Sequence, residues 1–206
     1  RAAARGARLL APVEATGLVH HADRVEVPTA GGPVITAEQV VLATGYELLG
    51  PVPARGHSVI STWAMATRPQ PRRIWPGAAL IWEASDPYLY LRTDRDGRLI
   101  AGGEDEESPT SYLSEGKLFT KQDAIRRKIE SLLGIDIGEP EYRWAAAFGT
   151  TTTGLPLIGA VPGMRNVYAV MGFGGNGITF SQIAAEIIAA AVNGGKDPDA
   201  DLFRFD

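Results

Sequence analysis

The sequence predicts an α+β protein built from two parts of different character. Residues 40–43 form a short run that is apolar on both faces, which is typical of a buried parallel strand. Residues 58–102 contain four strand-like segments separated by turn residues, which indicates an antiparallel sheet. Apolar residues recur at helical spacing over residues 117–133 and again from Phe180 onward. We therefore expect the remnant of an α/β domain together with an antiparallel β domain that carries one packing helix.

Composition excludes several classes of protein. The 206 residues are 45% hydrophobic and 21% charged, enough to bury the core of one or two domains. A net charge of −4 without a Lys/Arg block argues against a nucleic-acid partner. The chain has no cysteine and only His20, His21 and His57, so we expect no metal site. The most apolar helical stretch, residues 183–192, is too short to span a membrane, and no signal peptide opens the chain, so we expect a cytoplasmic protein without a membrane partner.

The first part of the chain resembles the tail of a nucleotide-binding α/β domain. Residues 2–8 are compatible with a helix, and residues 17–27 and 32–35 are predicted strands around a turn at 30–33. The strand over residues 40–43 ends at Thr44-Gly45. Ligands of open α/β sheets bind beyond the carboxyl ends of the strands, so Ala43, Thr44 and Gly45 are candidate cofactor contacts. The same residues also fit an ordinary strand end followed by a glycine turn.

The middle of the chain is predicted to be a sheet with a helix on one face. Candidate strands cover residues 58–67, 79–82, 88–92 and 98–102, and the last two are joined by a turn at Asp96-Gly97. The spacing of apolar residues predicts a helix over 117–133 that Gly134 ends. Residues 142–148 are predicted to form a further strand that leads back toward the first part.

The most informative segment is a glycine-rich loop, residues 172–177, between a predicted strand over 167–171 and a predicted helix from Phe180 onward. Its glycines allow a sharp turn and the close approach of a flat ligand, and the following helix start carries a partial positive charge. A cofactor with negative charge would suit this loop, and so would a plain turn with no ligand. The helix has one apolar stripe, which we expect to be core: Phe180, Ile183, Ala184, Ile187, Ile188, Ala191 and Val192.

Four separated segments resemble the C-terminal part of the D-amino-acid-oxidase-like flavoprotein family, which includes glycine, sarcosine and γ-glutamylputrescine oxidases. They are residues 6–9 with Glu14-Ala15, the VVLATG run at 40–45, Trp144 followed by GLPLIG at 154–159, and the loop at 172–178. Residues 87–92, 96–98 and 102–105 are similar to the family's substrate-domain hairpin. The order and spacing of these segments are more specific than any one of them.

The resemblance implies an FAD-dependent oxidoreductase that oxidises a C–N bond of an amine or amino-acid derivative by hydride transfer to flavin. It implies a partial FAD/NAD(P)-binding Rossmann-like domain at residues 1–48 and 149–206, and a substrate-binding antiparallel β domain at 49–148. No catalytic acid or base is required. The cofactor contacts that it implies are Ala15, Ala43, Thr44, Gly45, Gly159, Gly172, Phe173, Gly174, Gly175, Asn176, Gly177, Ile178 and Thr179.

The implied substrate contacts are Tyr90, Arg92 and Phe148. Tyr90 lies where glycine-oxidising relatives place a tyrosine, although a cross-strand aromatic residue would look the same. Arg92 could pair with an acidic group of the substrate, or be a solvated charge paired with Asp94 or Glu83. We expect the acidic run at 104–107 to be solvated and Trp63, Trp75 and Trp82 to be packing residues.

The departures from the family pattern concern the anchors of the cofactor and the substrate. The opening strand, GxGxxG loop and helix of the family do not occur, and the one GxGxxG match, residues 172–177, is the loop that the resemblance assigns to the flavin ring, so we expect this chain alone to bind FAD weakly and to be inactive. Thr153 replaces the aspartate of the family's DGLP motif, and Phe148 and Gly175 stand where amino-acid-oxidising relatives have arginines. An amine substrate is therefore favoured over a simple amino acid. Two alternatives stay open: a non-catalytic module for binding or assembly, and a subunit that completes a flavin site with a separate N-terminal segment or chain.

Overall fold

The computed structural model describes residues 1–47, 49–50, 52–53, 55–70 and 74–205. The elements, in chain order, are β1 (Val19–His20), β2 (Val25–Pro28), β3 (Val34–Ala37), β4 (Val40–Leu42), β5 (His57–Pro69), β6 (Ile81–Trp82), β7 (Leu89–Thr93), β8 (Arg98–Glu106), α1 (Glu115–Leu133), β9 (Tyr142–Thr151), β10 (Leu157–Ala160), β11 (Val167–Met171) and α2 (Gly177–Val192). Short 3-10 turns lie between several of them. This mixture of antiparallel sheets with two helices confirms the predicted α+β class.

The chain divides into two compact units. Unit 1 contains residues 1–57 and 151–206, and unit 2 contains residues 58–150. Unit 1 has two three-stranded sheets and α2, whereas unit 2 has one five-stranded sheet and α1.

The first sheet of unit 1 has the strand order β10-β11-β4. Strands β11 and β4 are parallel, with Tyr168 opposite Val41, and β10 runs antiparallel to β11. Helix α2 packs on one face through Ile187 and Ile188. The prediction that β4 is apolar because it is buried on both faces was wrong, because Val41 is 45% exposed. Helix α2 packs against β10, at the opposite edge of the sheet from β4.

The second sheet of unit 1 has the order β1-β2-β3 and is antiparallel throughout. The single strand predicted over residues 17–27 is a hairpin, because the chain turns where the His21 N–H donates to the Arg24 carbonyl (2.9 Å). The turn at 30–33 leads into β3 as predicted. The helix expected over residues 2–8 is only a 3-10 turn, Ala3–Arg5, which Gly6 ends with a φ of +93°.

The sheet of unit 2 has the order β6-β7-β8-β5-β9. Strands β7 and β8 form the predicted antiparallel hairpin, and its turn is held by Asp94, whose carboxylate accepts the N–H groups of Asp96 and Arg98 (3.0 and 2.8 Å). Helix α1 begins two residues before the predicted start, where Ser114 caps it by accepting the Lys117 N–H. It ends at Gly134 as predicted.

The core of unit 2 lies between α1 and one face of this sheet. Ile125 and Ile129 of α1 pack in one cluster with Trp63, Leu89 and Leu99 of the strands. Gln122 is fully buried there, and its amide donates to the carbonyl of Ala64 (2.8 Å), which ties the helix to β5. The expectation that Trp63 is a packing residue is confirmed.

Over the part of the chain that the structure describes, neither helix is long and apolar enough to cross a membrane.

Candidate functional site

The carboxyl ends of β4 and β11 meet at one edge of the first sheet in unit 1. Because the two strands are parallel, with Leu42 opposite Ala169, the segments that follow them leave the sheet on the same side. These are residues 43–45 after β4 and Gly172 after β11. Gly45 and Gly172 both have positive φ, +69° and +75°, so the chain turns sharply at each strand end. The sheet thus brings together two of the segments in which cofactor contacts were predicted.

The glycine-rich loop ends in a helix start with no side-chain cap. Residues 174–176 form a 3-10 turn, and α2 begins at Gly177, three residues before the predicted start. Asn176 occupies the N-cap position but makes no capping hydrogen bond through its side chain. The first N–H groups of a helix have no partner within the helix and carry its partial positive charge. Ile178, in this first turn, is 93% exposed, so the helix start is open to a ligand.

The loop glycines border open space. A β-carbon added to Gly174, Gly175 or Gly177 would meet no heavy atom within 4 Å. Gly174 has a φ of +54°, which β-branched side chains rarely adopt, whereas Gly177 has an ordinary helical φ of −54°. The neighbouring Phe173 differs, because its ring packs on Phe180 with centroids 6.4 Å apart. The side chain of Phe173 therefore belongs to the core, whereas its backbone is part of the loop.

Two other predicted cofactor residues lie elsewhere in unit 1. Gly159 lies within β10, opposite Ala169 of β11, and so belongs to the same sheet as the loop. Ala15 bridges to Thr29 and extends the second sheet of unit 1. Ala15 is therefore part of a different sheet from the other candidates.

Unit 1 also contains a cavity of about 290 Å³ that the sequence did not indicate. Its lining residues are Pro53, Arg55, Gly56, Thr151, Thr152, Thr153, Leu157 and Phe205. Thr153, which replaces the family's aspartate, accepts the Leu155 N–H (3.3 Å), and Thr151 donates to the Leu155 carbonyl (2.6 Å). The two hydroxyls thereby hold the turn that leads into β10.

The predicted substrate residues share one face of the sheet in unit 2. Along β7, Leu89 and Leu91 point into the core, so Tyr90 and Arg92 lie on the face opposite α1. In β9, Ala145 packs against the core, and alternation places Phe148 on that same opposite face. We call it the open face. Strands β7 and β9 are separated by β8 and β5, so Tyr90 and Phe148 lie on strands that are not adjacent.

The ring of Tyr90 lies directly over Gly102 of the neighbouring strand. The two residues are opposite each other in the β7–β8 pairing. A β-carbon on Gly102 would lie 2.3 Å from the Tyr90 hydroxyl oxygen and 2.9 Å from the Trp63 carbonyl oxygen. Burial is the main reason that the pKa of Tyr90 is raised, with the negative charge of Asp105 adding to it and the positive charge of Arg92 opposing it.

Arg92 is exposed and makes no ion pair with any described residue. The pairing with Asp94 or Glu83 that we considered is therefore not formed. Asp94 instead holds the β7–β8 turn. This leaves the Arg92 guanidinium available to a ligand on the open face.

The acidic run at 104–107 is less solvated than expected. Glu104 is only 9% exposed and pairs with Lys121 and Lys128 of α1. Glu106 pairs with Lys117 and Lys121, and the hydrogen bond from Lys117 is the largest influence that lowers the pKa of Glu106 to about 2. The expectation of a solvated run was wrong because α1 presents a row of lysines to the end of β8, which the sequence periodicity alone does not reveal.

Sequence reasoning missed Tyr88 and Asp105. Tyr88 lies on the open face between Trp82 and Tyr90, with ring centroids at 5.9 and 6.2 Å respectively. Burial raises the pKa of Tyr88, and the neighbouring Asp105 carboxylate raises it further. The alternation of Tyr88, Tyr90 and Arg92 along one strand was a signal for this shared face. Nothing in the sequence indicated that Asp105 would join it.

The residues at the sheet edge of unit 1 fit the ring end of an FAD molecule. The uncapped start of α2 offers N–H groups to a negatively charged ring edge, and the open space beside Gly174, Gly175 and Gly177 admits a flat group. The one GxGxxG match in the sequence is this same loop, residues 172–177, and a second GxGxxG loop for the phosphates of FAD is absent from the sequence. The chain thus fits part of the cofactor.

Known proteins resemble this chain in sequence and in fold. γ-Glutamylputrescine oxidoreductase of Escherichia coli (strain K12) is 27% identical over 197 residues, which are 91% of this chain and 42% of that protein. Among solved structures, glycine oxidase from Geobacillus kaustophilus has a TM-score of 0.83 at 21% identity, over 100% of this chain and 55% of that one. L-Proline dehydrogenase from P. horikoshii has a TM-score of 0.78 at 22% identity, over 98% and 55%.

The two structural matches show a shared fold. The chain spans about half the length of these relatives, 42% of the first and 55% of the second. Residues 1–191 match the family model described as FAD dependent oxidoreductase, and the chain therefore belongs to that family.

Proposed function

We propose that this chain supplies the ring-binding half of an enzyme that uses FAD to oxidise a C–N bond in an amine or amino-acid derivative. The observation that carries the proposal is the open glycine loop at the uncapped start of α2. When bound, FAD would accept the hydride equivalent from the carbon next to the substrate nitrogen. The residues of this chain would orient the cofactor and the substrate.

In this proposal unit 1 is the cofactor unit. The backbone N–H groups of Gly177, Ile178 and Thr179 would face the electron-rich edge of the ring, and the helix start would stabilise negative charge there. Residues 172–176 and residues 43–45 would line the ring from the two strand ends that the parallel pairing brings together. Gly159 and Ala15 are further proposed contacts, and neither lies at those strand ends.

The phosphate contacts would come from a segment that carries a second GxGxxG loop, besides the one at residues 172–177, either in the same polypeptide or in a separate chain. Two observations support this. The chain matches only about half of its relatives' length. Strand β4 has β11 on one side and no described strand on the other, so its second edge can pair with a further parallel strand.

Unit 2 is proposed to be the substrate unit, with its open face toward the substrate. Phe148 and Gly175 carry no charge, so these positions cannot clamp a carboxylate, which favours an amine over a simple amino acid. Tyr90 would contact the substrate, and the unpaired Arg92 would accept an acidic group distant from the reacting nitrogen. The match to a protein named for γ-glutamylputrescine is consistent with that class of substrate.

The test is anaerobic reduction of the completed, FAD-loaded protein by each candidate substrate, measured as the loss of the flavin's visible absorbance. We expect amines to bleach the cofactor faster than glycine or D-alanine. A protein that binds FAD but is reduced by no amine or amino acid would instead support the non-catalytic alternative. Omitting each substrate in turn controls for spontaneous bleaching.

A further inference from the structure

Three aromatic rings and one carboxylate meet at a corner of the open face. Trp82 meets Tyr88 edge to face at 5.9 Å and 69°, and Tyr88 is followed by Tyr90 at 6.2 Å. Trp82 is 69% exposed, which is unusual for a tryptophan that serves only as packing. The corner lies within unit 2, at the end of β7 and β8 that is remote from the Asp96-Gly97 turn.

A bulge in β8 brings Asp105 to this corner. Trp63 pairs with Gly103 and Ser61 with Glu106, so two residues of β8 lie opposite one residue of β5. At the bulge Gly103 has a φ of +140° and Glu104 a φ of +58°. Bulges re-aim side chains, and here Glu104 faces the lysines of α1. The Glu104 N–H donates to the Tyr88 carbonyl (3.4 Å), which brings the next residue, Asp105, beside Tyr88.

One oxygen of the Asp105 carboxylate has no partner. The Oδ1 atom is buried and accepts no hydrogen bond from any described group, although the carboxylate lies near the Tyr88 side chain. The lysines at this end of the sheet, Lys117, Lys121 and Lys128, pair with Glu104 and Glu106 instead. Arg92 lies farther along the open face, since it pairs with Ile100 while Leu89 pairs with Gly103. The negative charge at this corner thus lacks a cationic partner in the described structure.

A carboxylate beside aromatic faces is the arrangement that recognises an ammonium group. The carboxylate accepts its N–H bonds, and the negative faces of the rings attract the same charge. A neutral hydroxyl group would gain only one hydrogen bond there. An anion would be repelled.

We propose that Asp105, together with the rings of Tyr88 and Trp82, binds an ammonium group and forms a cationic subsite on unit 2. The inference deepens the proposed function and rests on it in one respect: in the complete enzyme the subsite would favour substrates with a second amino group remote from the one oxidised. As a binding site it needs no flavin, so the two proposals fail independently.

The test uses the 206-residue chain and putrescine as the probe, with butanediol as a neutral analogue of the same length. Binding is followed by isothermal titration calorimetry at constant ionic strength. We expect saturable binding of putrescine and none of the diol. Asp105→Asn, which keeps the shape and removes the charge, should weaken putrescine binding at least about tenfold, the scale of a charge-assisted contact.

The matched control is Glu107→Gln, which removes the same charge from an exposed neighbour in the acidic run. It should leave the affinity within about twofold, as expected for a screened surface charge. Trp82→Ala is the second variant and should also weaken binding, with folding of each variant checked by circular dichroism. Equal affinity for the diol, equal losses in Asp105→Asn and Glu107→Gln, or no saturable binding of putrescine by the folded chain would each overturn the proposal.

Discussion

Tyr90 and Gly102 form a matched pair across β7 and β8, in which the phenol ring occupies the place of a missing side chain. A β-carbon on Gly102 would lie 2.3 Å from the Tyr90 hydroxyl oxygen and 2.5 Å from the carbon that bears it. The absence of that carbon lets the ring lie against the sheet. Tyr90 nevertheless stays 37% exposed, so the ring is held in place while one side remains open to a ligand.

Gly102→Ala should destabilise the protein by about 1–3 kcal/mol, the range for overpacking a well-packed site. The added methyl would displace the Tyr90 ring and press on the Trp63 carbonyl oxygen, 2.9 Å away. Chemical denaturation measures the change. The double variant that combines Gly102→Ala with Tyr90→Ala should recover part of the lost stability.

Gly116→Ala is the matched control for this prediction, because a β-carbon there meets nothing within 4 Å in the first turn of α1. It should be neutral or stabilising, since alanine favours helix over glycine. Equal losses from both substitutions would show that the contact with Tyr90 does not matter.

The loop glycines should be required for flavin binding in the completed protein. Gly174→Val places a β-branched side chain at a φ of +54° and in the open space beside the loop, so we expect loss of bound FAD. Gly177→Val should also reduce FAD content. Gly177 has an ordinary helical φ of −54°, so the effect of this substitution would come from filled space alone. FAD released by denaturation and measured per chain gives the result, and wild-type content in both variants would contradict the prediction.

The completed enzyme should prefer a secondary amine, a polyamine derivative or a bulkier N-substituted compound over glycine or D-alanine. Truncating a buried charge partner costs about 2–5 kcal/mol, and Phe148 and Gly175 provide no such partner for a carboxylate. A steady-state comparison of kcat/KM measures this preference. The highest value for glycine or D-alanine would refute it, and unchanged kinetics in Tyr90→Phe would remove the Tyr90 hydroxyl from the substrate site.

The ion pairs of Glu106 should make stability depend on pH. Its pKa in the folded protein is lowered from 4.5 to about 2 by Lys117 first and also by Lys121. A lowered folded pKa gives stability that is present above pH 4.5 and lost as the pH falls toward 2. Glu106→Gln should therefore lower the free energy of unfolding by about 1 kcal/mol at neutral pH, a value reduced because the side chain is partly exposed. Near pH 2 the substitution should have almost no effect.

Thermal unfolding of Glu106→Gln and wild type across this range measures the difference. Glu107→Gln, at an exposed neighbour, should show little change at any pH. A stability loss in Glu106→Gln that does not shrink on acidification would contradict the ion-pair explanation.

The sequence predicted the elements whose signals are local. The period of Ile125 and Ile129 predicted α1, Asp96-Gly97 predicted the β7–β8 hairpin, and Gly134 predicted the end of the helix. The shorter signals were less reliable. The turn at residues 21–24 carries no glycine or proline, so the β1–β2 hairpin was read as a single strand.

The part of the site that backbone groups form was predictable from the sequence, and the part that side chains form was less so. Glycines and a helix start mark the loop at 172–177 directly in the sequence. The corner at Asp105 depends on a bulge, on the lysines of α1 and on strand pairing between distant residues. Such long-range arrangements leave no periodic pattern, which is why Tyr88 and Asp105 were found only in the structure.

The central claim is that this chain binds the ring end of FAD and needs a phosphate-binding segment from elsewhere. The most direct measurement is the visible spectrum and FAD content of the purified 206-residue chain, alone and together with a segment that supplies a second GxGxxG loop. We predict little or no flavin on the chain alone, and yellow, stoichiometric FAD when the segment is supplied. Stoichiometric flavin on the chain alone, or none in the completed protein, would contradict the account.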